Sequence, residues 1–251
     1  MYERGYGRSM SLSKSTSERV EIAVGDGPPM GGYLARPAGP GPFPGVVVAM
    51  ELFGVDADVR EVCDRLAALG LLALAPDFHH RTAPGAELPR DAAGRERGFE
   101  LLHLMTRPQV LADAGAAIGH LRALGSERVS MVGLSLGGHL AYLAATALDL
   151  DAVAVFYGGW LTSTEMPFSR PEPTLALTPN IAGRLLYLVG EDDHVVLPEQ
   201  QREIAAALHA AGSQHRFVAY PGAGHGFLRT DPAAAADAWE RVRDLLLRKQ
   251  Q

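Results

Sequence analysis

Val129-Ser130-Met131-Val132-Gly133-Leu134-Ser135-Leu136-Gly137-Gly138 passes from an apolar run into a glycine-flanked serine. The run reads as a strand, and His139-Leu140-Ala141-Tyr142-Leu143-Ala144-Ala145 behind it reads as a helix. A strand feeding a G-x-S-x-G turn into a helix holds its serine on a sharp, strained corner. Glycine at positions 133 and 137 leaves no side chain in a turn too tight to hold one. The hydroxyl then stands above the sheet edge, at the positive end of a helix. Five residues of such common types are a modest signal, so their weight depends on partners elsewhere in the chain.

The segments on either side repeat one rhythm. Arg19 to Val24 alternates like a strand, Gly25-Asp26-Gly27-Pro28-Pro29 is a turn, and Met30 to Arg36 returns as the second strand of a hairpin. Gly45 to Met50, Leu71 to Ala75, Ala152 to Tyr157 and Leu185 to Val189 are continuous apolar runs, the signature of strands buried on both faces. Arg216 to Tyr220 reads as the last strand. Helical patterns fall at about Asp56 to Leu69, Leu101 to Met105, Val110 to Leu124, Pro198 to Ala211, and from Asp231-Pro232 to about Leu247. Arg81 to Gly94 breaks the rhythm, and Gly158 to Ile181, with four prolines, reads as a long covering loop. A hairpin followed by alternating buried strands and helices predicts an α/β fold: a mostly parallel, doubly wound sheet with helices on both faces.

Composition narrows the function classes. The chain has 251 residues, 47% of them hydrophobic, a length that one α/β domain can take up. Residues 18–251 are expected to form that single domain, with 1–17 a polar, flexible tail lacking the apolar middle of a signal peptide. The net charge of −6, without a basic run, speaks against nucleic acid and anionic membranes as partners. The expectation is a cytoplasmic protein, monomer or small homo-oligomer, acting on a small molecule without a cofactor. The single cysteine, Cys63, excludes an internal disulfide and falls on the apolar face of a helix.

In such sheets ligands bind beyond the carboxyl ends of the strands. The residues found there are Glu51-Leu52-Phe53-Gly54, Pro76-Asp77-Phe78-His79-His80-Arg81, the Ser135 turn, Gly190-Glu191-Asp192-Asp193-His194 and Pro221 to Phe227 with His225 between glycines. Serine, an acidic pair and histidine occur in the order expected on an α/β-hydrolase sheet. A serine hydroxyl needs a neutral imidazole to take its proton, and the imidazole needs a carboxylate to fix its tautomer. The oxyanion formed on attack needs preorganised donors, each contributing about 2.7–4 kcal/mol. The N–H groups of Leu136 and Leu52 are the candidates. Asp192 and Asp193 both remain open as the partner of His225. Asp77, His79 and His80 match no strong metal-ligand spacing, so no metal is expected.

Four blocks together resemble the dienelactone hydrolase family: Val47-Val48-Ala49-Met50-Glu51-Leu52-Phe53-Gly54-Val55, Ala75 to Arg81, Gly190 to Val196, and Pro221-Gly222-Ala223-Gly224-His225-Gly226-Phe227. The resemblance runs from about Val20 onward. It implies that Asp193 is the acid of a Ser135-His225-Asp193 triad and that Glu51 lies beside the nucleophile. It further implies that Arg81 and Arg229 bind a substrate carboxylate, a task suited to guanidinium forks; ion pairing is the alternative reading of both. The best-known members have cysteine where this chain has Ser135. A hydroxyl cannot be pre-ionised as a thiol can, so Glu51 loses any role in holding a thiol's proton. The expected activity is therefore hydrolysis of a small carboxylic ester or lactone through an acyl-enzyme. Acyl transfer or perhydrolysis by the same triad, or binding without catalysis, are the rivals. Trp160, Met166 and Phe168 in the proline-rich loop are candidate apolar walls, with core or surface packing the equal alternative for all three, and Trp160 is the chosen substrate contact.

Overall fold

The computed structural model describes residues 15–25 and 27–248. β1 (Thr16–Ile22) and β2 (Met30–Arg36) form the antiparallel hairpin, paired from Thr16–Arg36 to Ile22–Met30. Most of the expected tail, residues 1–14, lies outside the described residues. Thr16 and Ser17, however, belong to β1, because an edge strand is held by backbone pairing and needs no apolar side chains there. β3 (Gly45–Ala49), β4 (Leu72–Pro76), β5 (Val129–Leu134) and β6 (Ala152–Phe156) are buried at every residue, as their unbroken apolar runs require. β7 (Arg184–Gly190) and β8 (Arg216–Tyr220) complete one eight-stranded sheet in the order β1-β2-β4-β3-β5-β6-β7-β8. β4 pairs antiparallel with β2, and every pairing from β4 to β8 is parallel.

The helices are α1 (Ala57–Ala68), α2 (Ala92–Leu102), α3 (Arg107–Ala123), α4 (Leu136–Ala145), α5 (Pro198–Ala211), α6 (Phe227–Thr230) and α7 (Pro232–Leu247). The chain moves one way from β3 to β4 and the opposite way from β4 to β5 and from β5 to β6. With right-handed crossovers, α1 therefore lies on one face and α3 and α4 on the other. α7 joins α1, with the Arg65 guanidinium 4.7 Å from the Trp239 ring centroid. The reversal leaves a crevice between the carboxyl ends of β3 and β5, where a doubly wound sheet binds its ligand. Glu51 and Leu52 end one side of it and Ser135 the other.

Two expectations shift. The helix predicted at Leu101 to Met105 is instead α2, beginning at Ala92, where the Asp91 carboxylate accepts from the Gly94 N–H at 2.9 Å. Two glycines and three charges in Ala92-Ala93-Gly94-Arg95-Glu96-Arg97-Gly98 hide its periodicity. The covering segment 158–181 is irregular as expected, with 3-10 turns at Pro167–Ser169 and Thr174–Asn180. It is tied down firmly: Arg107 donates to the carbonyls of Phe168 and Glu172 and pairs with the Glu172 carboxylate. Tyr142 and Thr178 share a 2.6 Å hydroxyl contact. Met166 and Phe168 are buried within the hydrophobic core, the packing alternative of the two readings. No helix among the described residues is long and apolar enough to cross a membrane.

Candidate active site

β5 delivers Ser135 into a backbone conformation of φ 53° and ψ −112°, which an L-residue adopts only under constraint. The constraint is close packing of backbone. A Cβ on Gly133 would lie 2.0 Å from the Gly137 carbonyl oxygen, and one on Gly137 would lie 2.1 Å from that of Ala49. The Ser135 N–H donates to the Phe156 carbonyl at 3.0 Å, pinning the corner to β6. Leu136 opens α4, so its N–H falls in the first turn, where a helix supplies no acceptor of its own.

The loops after β7 and β8 bring the other two residues. Ser135 Oγ lies 2.9 Å from His225 Nε2. His225 Nδ1 lies 2.9 Å from Asp193 Oδ2 and 3.1 Å from Oδ1. Asp193 is 2% exposed and accepts from the N–H groups of Val195 and Val196 at 2.7 and 3.0 Å. Those bonds keep a buried carboxylate satisfied and aimed at the ring. Asp192, left open by the sequence, is exposed. The Tyr157 ring meets the His225 ring edge-on, 4.9 Å between centroids.

Pairing of Ala49 with Gly133 sets Glu51 alongside Ser135 at the crevice. Glu51 is 3% exposed, and its carboxylate takes Arg90 Nη1 at 2.6 Å, Arg229 Nη1 at 3.0 Å on both oxygens and the Tyr157 hydroxyl at 3.3 Å. Burial works to raise the Glu51 pKa. The Arg229 and Arg90 charges outweigh it and hold the carboxyl below its ordinary value. Burial, then the Glu51 charge, push the Tyr157 phenol well up, so it stays a donor.

Leu52, next in the chain, is fixed from behind. His79 Nε2 lies 3.3 Å from the Leu52 carbonyl oxygen, and α2 packs so closely at Gly98 that a Cβ there would meet Leu52 Cγ at 2.5 Å. Asp77 accepts from the N–H groups of His79 and Gly85. His80 Nε2 lies 3.2 Å from Asp113. Asp77, His79 and His80 thus serve separate structural contacts. Arg81 is engaged by buried Asp113, with Nη2 at 2.7 Å and Nε at 3.2 Å from its carboxylate. Arg229, on α6, comes to the crevice and pairs with Glu51. Trp160, at φ 60° and half-buried, meets Phe99 of α2 edge-on at 6.2 Å.

Arg90, Tyr157 and Phe99 are site neighbours that the sequence reading passed over. Tyr157 is legible once β6 ends at Phe156, since it is then the first residue beyond a strand. Arg90 lies 39 positions from Glu51 in a stretch without periodicity, and no local signal marks it.

Residues 30–249 match the model of the dienelactone hydrolase family. The carboxymethylenebutenolidase of Pseudomonas putida is 33% identical over 238 residues, covering 92% of this chain and 96% of that one. A Synechocystis sp. protein assigned as a carboxymethylenebutenolidase is 34% identical over 226 residues, covering 85% of this chain and 89% of that one. Among solved structures, a Klebsiella pneumoniae chain assigned as a dienelactone hydrolase superposes with a TM-score of 0.82 at 27% identity. The match covers 93% of this chain and 100% of that one.

Proposed function

This chain belongs to the dienelactone hydrolase family, and from that premise we propose that it is a serine hydrolase that cleaves a small carboxylic ester or lactone through an acyl-enzyme on Ser135. The reading is carried by one observation, the unbroken chain from Ser135 Oγ through His225 to buried Asp193.

His225 Nε2 takes the hydroxyl proton as Ser135 Oγ bonds to the substrate carbonyl carbon. Asp193 accepts from Nδ1–H, holds the ring in the tautomer that leaves Nε2 free, and stabilises the imidazolium that forms. The negative charge gathering on the carbonyl oxygen meets the N–H groups of Leu52 and Leu136, one from each side of the crevice. The carbonyl re-forms as the C–O bond to the alcohol breaks, and His225 returns its proton to that oxygen. Water, deprotonated by His225, then releases the acid and restores Ser135. For a lactone, alcohol and acid leave as one molecule. Glu51 takes no proton in this scheme. Its two arginines keep it ionised, and it orders the Leu52 turn and the Tyr157 ring that backs His225.

Substitution of Ser135 by alanine tests the reading. Turnover of 4-nitrophenyl acetate is expected to fall to the uncatalysed background with the circular dichroism spectrum unchanged. Retained turnover in that variant overturns it.

A further inference from the structure

A cavity of about 320 Å³ lies at the end of the sheet opposite Ser135. Arg184, Arg216, Arg241 and Arg248 line it, with Asp244 the one carboxylate among the lining residues. Arg184 opens β7 and Arg216 opens β8, with Arg216 registered against Leu186. Asp193 and His225 follow the far ends of these same two strands. At about 3.3 Å per residue, the seven residues of β7 set its two ends about 20 Å apart. The cavity is therefore separate from the crevice that holds the nucleophile.

It is positive in a protein whose net charge is −6. Arg184 holds Asp151 at 2.8 Å, Arg241 holds Asp237 at 2.5 Å, and Arg243 holds Asp244 at 3.1 Å. Asp151 is shared with Arg128 at 3.6 Å. Neither Arg216 nor Arg248 has a carboxylate within ion-pair distance among the described residues. The lining charges and their ion-pair partners thus amount to six guanidiniums against three carboxylates. The carbonyls at the end of α7 carry partial negative charge that would oppose an anion. Two of them are already met, Leu245 by Arg184 Nη1 at 2.8 Å and Arg248 by Arg128 Nη1 at 3.3 Å. Leu186, Val218 and Leu245 give the cavity its apolar surface.

The geometry points to a second binding site here, for a phosphate monoester with a small apolar body. Arg216 and Arg248 bring guanidinium forks with no acid to hold them, suited to bidentate contact with phosphate oxygens and charged at any working pH. Arg184 and Arg241, each tied to an acid, form the wall behind them. A formal excess of three positive charges favours a dianion over a monocarboxylate. The volume suits a small organic ligand, and the three aliphatic side chains give its body a surface to bury.

Calorimetric titration of the full chain with phenyl phosphate, at neutral pH and low salt, tests the site. One saturable site per chain is expected, with a dissociation constant in the micromolar to millimolar range. Arg216→Ala and Arg248→Ala are each expected to weaken binding about tenfold, the scale of one charge-assisted contact. Both side chains are exposed, so the circular dichroism spectrum should not change. Inorganic phosphate is expected to bind several-fold more weakly, having no apolar body to bury. Phenyl phosphate is not expected to compete with 4-nitrophenyl acetate, because the two sites lie at opposite ends of the sheet. Absence of saturable binding, affinity unchanged in both variants, or equal affinity for inorganic phosphate overturns the inference. Competition with the ester places the anion at Ser135 and overturns it as well.

Discussion

His79, fully buried, places Nε2 3.3 Å from the carbonyl oxygen of Leu52, while its Nδ1 has no hydrogen-bond partner among the described residues. Burial holds the ring's pKa below its ordinary value, so it is neutral, and the proton must sit on Nε2 for this bond to form. The bond fixes the turn that carries the Leu52 N–H, the donor proposed for the oxyanion. In His79→Phe that turn loses its anchor. We expect kcat to fall by about tenfold, the scale of a small misplacement near the reacting centre, with KM little changed. Steady-state kinetics on a neutral ester would show it, and an unchanged kcat would separate Leu52 from the oxyanion.

Glu51→Gln leaves Arg90 and Arg229 facing an uncharged amide. A broken, fully buried pair costs about 3–5 kcal/mol. Arg229 is 43% exposed and its charge is partly solvated, so about 2 kcal/mol is expected from urea unfolding at neutral pH. The sign with pH follows from the depressed folded pKa of Glu51. Its contribution is complete above the unfolded value of about 4.3 and is lost as pH falls through the lower folded value. The stability gap between wild type and Glu51→Gln should therefore close in acid. A gap that widens there would contradict the assignment.

His139 ties the covering segment to α4, with Nδ1 2.7 Å from the Gly159 carbonyl oxygen and Nε2 2.8 Å from Thr174 Oγ1. Burial pushes its pKa down to about 4. The unfolded chain therefore binds a proton that the folded chain refuses between pH 6.5 and pH 4, and stability falls as pH drops through that window. From pH 7 to pH 5 the His139 share of the loss is about 2 kcal/mol. His139→Gln should lose correspondingly less over the same interval in paired urea melts. Parallel losses in the two proteins would refute this role.

Much of this architecture is legible in local sequence. Strands buried on both faces leave unbroken apolar runs, and the Ser135 turn carries its own glycines. The strand-end rule then gathers Ser135, His225 and an acidic residue without knowledge of any contact. What the chain does not spell out is long-range choice of partner. Arg81 finds Asp113 32 positions away, and Arg229 finds Glu51 178 positions away. A guanidinium reads the same in sequence whether it meets a substrate or a neighbouring acid. The start of α2 was hidden for a different reason: Gly94 and Gly98 are there for close approach to Pro89 and Leu52, and they break the helical pattern. Met166 and Phe168 pack inward because their loop is pinned at both its turns, which proline content alone does not reveal.

Cys63 is fully buried on α1, and burial pushes its thiol pKa far up. A thiol held protonated and out of solvent does not attack a disulfide reagent. Native protein is expected to leave 5,5′-dithiobis(2-nitrobenzoate) unreacted over minutes and to release one equivalent of thiolate in urea. Fast reaction in the native state would place Cys63 outside the core.

The central claim is the covalent acyl intermediate on Ser135, and rapid quenching tests it most directly. The protein is mixed with excess 4-nitrophenyl trimethylacetate, whose bulky acyl group slows release, and quenched in acid within the first turnover. The account predicts a burst of one 4-nitrophenol per chain and a trimethylacetyl adduct confined to the peptide bearing Ser135. A burst without an adduct on that serine, or an adduct that persists in Ser135→Ala, would contradict it.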